Sequence, residues 1–469
     1  MGADLLRLGP SASIENEGRS EPGAEFPLRM DAATPKKGNI SLPAAVAIGI
    51  GGMVGAGIFS ILGVVAEAAG NAIWISFLIG GFVALLSAYS YSKLGVRYPT
   101  AGGAVQFLVQ GYGDGIVSGS LNLFMWIGYV IALALYAAAF SAYFLAMFPV
   151  GGVEVGKMIS VGIVLLFVAV NWIGAKSVGR SELIIVAIKL VILLLFAFAG
   201  IGYVKPALLT TSEWPPLSGM FFGAGILLIG YEGFGLIANA AADMSNPTKM
   251  LPRALYISVI AVIALYLLVS ITVVGNLPLA QLAAARDYAL AEAAKPFLGE
   301  LGFKLVAIAA LLSTASAINA TLFGAANVCY MVAADGELPK RLSEPVRGRA
   351  SQGLFVTAAL VIVFLLFFDL AKVAMMGSAA FLIVYASVHG AHLRLTHETG
   401  AKPFVLWLAI ATCLGMFVVL CIYIARTAPS ALTAMGIVFA ASLLGEIAYR
   451  KLTGRRFHFR WGPHHGPPQ

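Results

Sequence analysis

The chain has 469 residues, of which 60% are hydrophobic and only 11% charged. A water-soluble domain averages about 45–50% apolar and about 25% charged residues, so this composition cannot cover a soluble surface and calls for lipid. The formal charge of +8 keeps nucleic acid open as a partner until the basic residues are located.

In chain order, residues 1–38 are polar and rich in Gly, Pro and Glu, which predicts a disordered tail and no cleavable signal peptide. Apolar runs of the roughly 20 residues that a membrane helix needs then follow one another. They fall near 41–69, 71–92, 116–148, 155–174, 182–204, 217–243, 254–276, 302–332, 353–370, 372–394, 403–425 and 429–449, which makes twelve spans. The connection from Pro278 to Leu301 reads as a short amphipathic helix outside the bilayer core, and the chain closes with a basic tail over 450–469. Cys329, Cys413 and Cys421 form neither a disulfide framework nor zinc-ligand spacing.

An even span count puts both termini on one side, and the basic residues test this. Lys157, Lys205, Arg286, Lys295, Lys304, Lys372 and Arg426 fall on the opposite side, and Lys189 lies within a span. The other 22 of the 30 basic residues share the side of the termini, which predicts a cell-membrane protein with both termini cytoplasmic. Scattered at helix ends, they form no patch for nucleic acid.

Two spans concentrate glycine. Span one reads Ala47-Ile-Gly-Ile-Gly-Gly-Met-Val-Gly-Ala-Gly-Ile-Phe59 and span six reads Leu228-Ile-Gly-Tyr-Glu-Gly-Phe-Gly-Leu236. Each Gly costs up to about 1 kcal/mol of helix propensity relative to Ala, so both runs predict unwinding. Either cluster alone would serve close helix packing equally well. The pair, at matched positions of two five-span halves, is the sequence signature of an inverted-repeat transporter with its substrate near the bilayer midplane. Free N–H groups around Gly55, Ala56 and Gly57 would suit a carboxylate, and free carbonyls from Ile229 to Gly233 an ammonium. A small zwitterion matches both.

These residues resemble permeases of the amino acid, polyamine and organocation superfamily. The resemblance runs from Ile40 to about residue 450 and rests on four segments. Gly55-Ala-Gly-Ile-Phe59 is similar to the family's span-one break, and Tyr98-Pro-Thr-Ala-Gly-Gly-Ala104 to the loop after its span two. Gly230-Tyr-Glu-Gly-Phe-Gly-Leu236, running on to Asp243-Met-Ser-Asn-Pro-Thr-Lys-Met-Leu-Pro-Arg253, resembles its span six, and Ala334-Asp-Gly-Glu-Leu-Pro339 its loop after span eight. The resemblance implies an all-α membrane protein with a LeuT-type five-plus-five inverted repeat, spans one and six broken, and two added spans. The divisions are then 39–204 and 217–395 for the repeats and 403–449 for spans eleven and twelve. It also implies that Gly55, Ala56 and Gly57 hold the substrate carboxylate and that Ile229, Glu232 and Gly233 hold the ammonium. Gly235 and Asn327 depart from the pattern, standing where relatives carry an acid and an arginine.

Lys189 interrupts Leu183-Ile-Ile-Val-Ala-Ile-Lys-Leu-Val-Ile-Leu-Leu-Leu-Phe196. A lysine within a span costs about 2.5–3.5 kcal/mol on insertion scales, which marks it as functional unless it snorkels. Its surroundings resemble proton-coupled members of the superfamily, in which a span-five lysine replaces a sodium ion. Ser313 and Ser316 are its expected neighbours. His389, His392 and His397 read as a solvated cluster, Asp243 as a partner of Lys249 or Arg253, and Tyr129, Phe234 and Tyr385 receive no role.

The resulting expectation is a secondary active transporter, not an enzyme. It would move amino acids by alternating access, coupled to protons and independent of sodium, with no metal and no cofactor. An amino acid or polyamine exchanger in which Lys189 is a fixed structural cation is the alternative, and a channel is a distant one from another class.

Overall fold

The computed structural model describes residues 40–454, except 101, 174–177, 212–213, 335 and 347–349. The expected tail over 1–38 and most of the basic tail lie outside the described residues. The described chain is helical apart from loops and one two-residue pairing, β1 (Pro345–Val346) with β2 (Ala350–Ser351).

Helices α1 (Leu42–Ala69) and α2 (Ile73–Arg97) form one apolar run of 56 residues. A 3-10 turn at Gly70–Ala72 divides it, entered through Gly70 at φ 50, a left-handed value that favours glycine. Ser41 caps α1, its hydroxyl accepting the Ala44 N–H at 3.4 Å. A short helix, α3 (Ala104–Tyr112), follows before α4 (Ile116–Met147), α5 (Val153–Ile173) and α6 (Val178–Ile201) make spans three to five. Span six is composite: α7 (Leu217–Leu227), a 3-10 stretch over Leu228–Phe234 and α8 (Gly235–Asn239).

Span seven is α9 (Pro247–Asn276), and the Asn246-Pro247 start explains itself. The Asn246 side chain accepts the Lys249 N–H at 3.3 Å, while Pro247 occupies a position whose N–H has no helical partner. Between spans seven and eight the expected amphipathic helix is two short helices, α10 (Leu279–Ala284) and α11 (Ala289–Glu292), joined by a 3-10 turn at Arg286–Tyr288. Span eight is α12 (Lys295–Ala334), kinked at Gly299 with φ 61. Spans nine and ten are α13 (Gln352–Phe367) and α14 (Leu370–Arg394), and the small α15 (Thr396–Thr399) leads to spans eleven and twelve, α16 (Pro403–Thr427) and α17 (Pro429–Thr453).

Twelve spans thus stand among the described residues, with α13 the shortest at 16 residues. The expected break of span one does not appear: α1 is helical throughout, Gly55 to Gly57 included. The break of span six is a 3-10 stretch rather than unwound chain. The helix α3 was not expected, because nine residues are too few for a span and too many for a turn. Gly103, in the expected Gly-Gly loop, is its N-cap at φ 47.

In the interior, α1 lies against α9, α12 and the 3-10 stretch of span six, while α12 runs along α4 and α2 along α9. Apolar side chains of α5, α6 and α16 face outward, among them Ile173, Phe198 and Trp407, each more than 60% exposed. Such side chains are a lipid contact, and the chain is a multi-pass membrane protein.

Candidate functional site

The glycines of spans one and six stand where two backbones touch. A Cβ on Gly57 would lie 2.6 Å from the Tyr266 hydroxyl and 2.7 Å from Gly230 Cα, and one on Gly233 would overlap the backbone of Gly52 and Met53. Side chains stitch this contact. The Tyr266 hydroxyl of α9 reaches both the Met53 carbonyl, at 2.7 Å, and the Gly230 carbonyl, at 3.0 Å. Ser378 of α14 accepts the Ile229 N–H at 3.0 Å and donates to the Ile226 carbonyl, bridging the 3-10 stretch.

The same stitching accounts for the intact α1. Its carbonyls at Gly51, Met53, Val54, Gly55 and Phe59 accept donors from four other helices, namely Lys189, Tyr266, Ser313 and Tyr143. Glycine weakens a helix chiefly through entropy and exposed backbone. Here packed backbone and external donors offset that weakness, so no gap opens. Replacing Tyr266 by Phe should leave two buried carbonyls short of a donor. The expected loss is about 1–3 kcal/mol, read as a lower thermal unfolding midpoint in detergent, and an unchanged midpoint would remove Tyr266 from this account.

Beside this contact lies a cavity of about 270 Å³, near the low end of the roughly 300–1,000 Å³ typical of ligand pockets. Gly51 and Gly52 of α1, Tyr129 and Tyr136 of α4, Val186 of α6, Glu232 and Asn239 of span six and Thr321 of α12 line it. Every lining stretch belongs to the middle of its span or to the half nearer the chain termini. The Glu232 side chain, buried, has no hydrogen-bond or ion-pair partner among the described residues. Behind the wall, fully buried Lys189 donates from Nζ to the Gly51 carbonyl at 2.9 Å, one helical turn from Val186.

Of the residues expected at the site, Glu232 lines the cavity and Lys189 touches its wall. Gly55 is packed on Ala317, and Gly57 on Gly230, so in this conformation neither presents an open anion surface. The side chain of Ala56 lies outside the described residues. Neither Ile229 nor Gly233 lines the cavity: Ile229 is buried against Gly377 and Ser378 of α14, and Gly233 against the Gly52–Met53 backbone of α1. Ser313 donates to the Val54 and Gly55 carbonyls, and Ser316 is buried three residues further along α12. Tyr129 and Tyr136 were not assigned to the cavity; their seven-residue spacing, which puts both on one face of α4, was the available signal.

An aromatic row leads from the bundle to this cavity. Tyr91 packs on Phe234 at 5.1 Å, Phe234 on Tyr385 at 5.4 Å, Tyr385 on Phe381 at 6.0 Å and Phe381 on Tyr129 at 5.6 Å. On the face away from the termini Arg286 pairs with Glu67 at 2.8 Å, and the Tyr143 hydroxyl donates to the Phe59 carbonyl. Burial pushes the Asp287 carboxyl up there, against the pull of Arg286. Asp369, which burial alone would raise, is instead held below the usual aspartate range by the N–H and ammonium of Lys372.

Two readings of polar residues change. His389 and His392 are not solvated; both are fully buried against Ser87 and Ser90 of α2, and only His397 is exposed. Asp243 forms no ion pair among the described residues, and its carbonyl accepts the Ile40 N–H at 3.1 Å.

Comparison with known proteins bears on what this geometry serves. The amino acid permease family matches residues 40–445. Protein MJ0609 of Methanocaldococcus jannaschii is 41% identical over 425 residues, covering 90% of this chain and 98% of that protein. The inner membrane transport protein YbaT of Escherichia coli is 36% identical over 360 residues, 76% of this chain and 84% of YbaT. The branched-chain amino acid permease BcaP of Lactococcus lactis is 27% identical over 399 residues, 78% of this chain and 83% of BcaP. Span count, glycine contact and a cavity between spans one, three, five, six and eight accord with that match, and the chain belongs to the amino acid permease family.

Proposed function

We propose that this permease moves amino acids by alternating access, with proton binding at Lys189 as the driving step and no requirement for sodium. The observation that carries the proposal is the placement of Lys189: a buried ammonium on the Gly51 carbonyl, where Gly51 itself lines the cavity that holds Glu232. A lysine in such a place can release and regain its proton, because desolvation disfavours its charged form. Charged, it fixes the Gly51 carbonyl; neutral, it loosens that bond and with it the wall of α1. The terminus-bearing face is cytoplasmic in this reading, on the strength of the basic residues, and the cavity is then the inward-facing site.

The substrate's ammonium meets Glu232. Its carboxylate goes to the Gly55–Ala56–Gly57 backbone once span six moves off Gly57, which makes this subsite a property of another state in the cycle. Uptake into proteoliposomes against a panel of amino acids, under imposed pH or sodium gradients, tests the proposal. Wild-type protein should accumulate substrate with a pH gradient alone. Lys189→Ala should lose that response at least tenfold. Sodium-driven uptake, or a Lys189→Ala variant with unaltered pH response, would overturn proton coupling, and uptake only into vesicles preloaded with amino acid would point to exchange.

A further inference from the structure

On the outside of the helix bundle, away from the cavity that holds Glu232, a groove of about 810 Å³ opens between α2, α7, α9 and α16. Its volume lies within the roughly 300–1,000 Å³ typical of ligand pockets. Leu78, Phe82 and Leu85 of α2, Ile260 of α9, and Gly415 and Val419 of α16 are among its walls. The one polar side chain of the lining, Thr412, turns its hydroxyl back on the Leu408 and Ala409 carbonyls, each at 3.0 Å. The groove therefore offers an occupant hydrocarbon contact alone. Leu78, Phe82 and Ile260 stand half exposed along it, so it is open to the medium around the spans, which is lipid.

The level of the groove in the membrane follows from a contact between its walls. At the end nearer the chain termini Ser87 of α2 meets Cys413 of α16, and both lie within two residues of the middle of their 25-residue helices. Thirteen residues before Ser87 stands Trp74, and thirteen residues after Cys413 stands Arg426. The two helices run in opposite directions, so both residues reach one level, about 20 Å from the Ser87–Cys413 contact at 1.5 Å per residue. Half of a bilayer with its headgroups is about 20–22 Å. The groove and its rim thus have the depth of one leaflet, on the face away from the termini.

The rim carries the side chains of a headgroup level. Trp74 packs edge-on against Trp214 at 6.0 Å, and tryptophan settles where hydrocarbon meets headgroups. Arg426, exposed in the last turn of α16, follows Thr412 and Val419 at seven-residue spacing and so stands over the groove on the same helix face. Its guanidinium matches a phosphate in shape and charge.

We propose that this groove binds one anionic glycerophospholipid of the leaflet away from the termini, with an acyl chain laid between α2 and α16 and the phosphate at Arg426. The lipid is not transported cargo, so the site is independent of the coupling assigned to Lys189. Bulk hydrocarbon is as apolar as the walls, and burial alone holds no chain there. The fit between four helices and the charge at the rim hold it. Gly415 keeps the groove open: a Cβ there would meet nothing within 4 Å, so a larger side chain would lie in the groove itself. On the opposite wall Ile263 packs on Gly81 of α2 and stands one turn before Tyr266, whose hydroxyl reaches both glycine segments. The occupant thus rests on the helix that holds spans one and six together.

Native mass spectrometry of the full-length protein tests this, after exchange in detergent against equal amounts of phosphatidylglycerol and phosphatidylethanolamine with identical chains. Wild type should retain one phospholipid, phosphatidylglycerol over phosphatidylethanolamine by about fivefold, as one arginine near an anionic headgroup would give. Arg426→Gln should keep a lipid and lose that preference. Gly415→Phe should lose the lipid, whereas Gly436→Phe, at a glycine of α17 equally open but outside the groove, should keep it. Arg426→Gln, at an exposed position, carries the test should Gly415→Phe unfold. Equal retention of the two lipids by wild type, a lipid retained by folded Gly415→Phe, or an equal loss in Gly436→Phe would overturn the proposal. So would displacement of the phospholipid by cholesterol, or a dimer that Gly415→Phe dissociates, each of which gives the groove to another occupant.

Discussion

Substituting Gly233 by Ala should abolish uptake, by at least tenfold, and lower the unfolding midpoint, while the same change at Gly235 should do neither. The two glycines are two residues apart in one segment and read alike by composition. At Gly233 the new methyl would overlap the backbone of Gly52 and Met53, and backbone held between α9, α12 and α6 has no side-chain rotamer through which to yield. Overpacking of this kind costs typically about 1–3 kcal/mol, and here it also separates the spans that define the cavity wall. At Gly235 the methyl meets only a ring carbon of Tyr91 at 3.7 Å, an ordinary contact, on helical backbone at φ −58. Uptake assays and thermal melts on the two variants decide it, and equal effects at both positions would refute the backbone contact as the cause.

The second large effect is expected at the far end of the chain. Arg450 of α17 is almost fully buried, bonded to the buried Glu446 carboxylate and, at 3.0 Å, to Asp114 in the turn before α4. Glu446 in turn occupies the space over Gly119, where a Cβ would strike its carboxylate. Arg450→Met leaves that carboxylate in the interior with its main cation gone, and such losses run to about 3–5 kcal/mol. Replacing both members, Arg450→Met with Glu446→Gln, should return most of the stability, since the buried charge is then absent. Thermal unfolding of the single and double variants reads this directly, and a double variant as unstable as the single one would place the cost in packing rather than charge.

The extent to which the sequence disclosed all this depends on the range of the interactions involved. Spans were legible because a membrane helix is defined by its own 20 or so residues, and Lys189 because a charge inside such a run is conspicuous at once. Gly52, Gly57 and Gly233 marked where backbones approach, but glycine does not name its partner. The run around Gly55 reads as a break until Tyr266, Ser313 and Tyr143 are known to supply donors from elsewhere. The histidines were misread for the same reason: Ser87 and Ser90 lie some 300 positions away and leave no trace near His389. The cavity is lined by Gly51 and Gly52, one turn before the expected Gly55–Gly57, and by Tyr129 and Tyr136, whose spacing is also that of ordinary packing.

The hydroxyl of Tyr266 has one hydrogen and two carbonyl neighbours, one on each glycine segment. Any rotation that drew span one from span six would leave that hydrogen with a single partner and take from the other carbonyl the donor it now shares. Parting span one from span six therefore has to begin at Tyr266, which makes α9 the latch on the glycine contact.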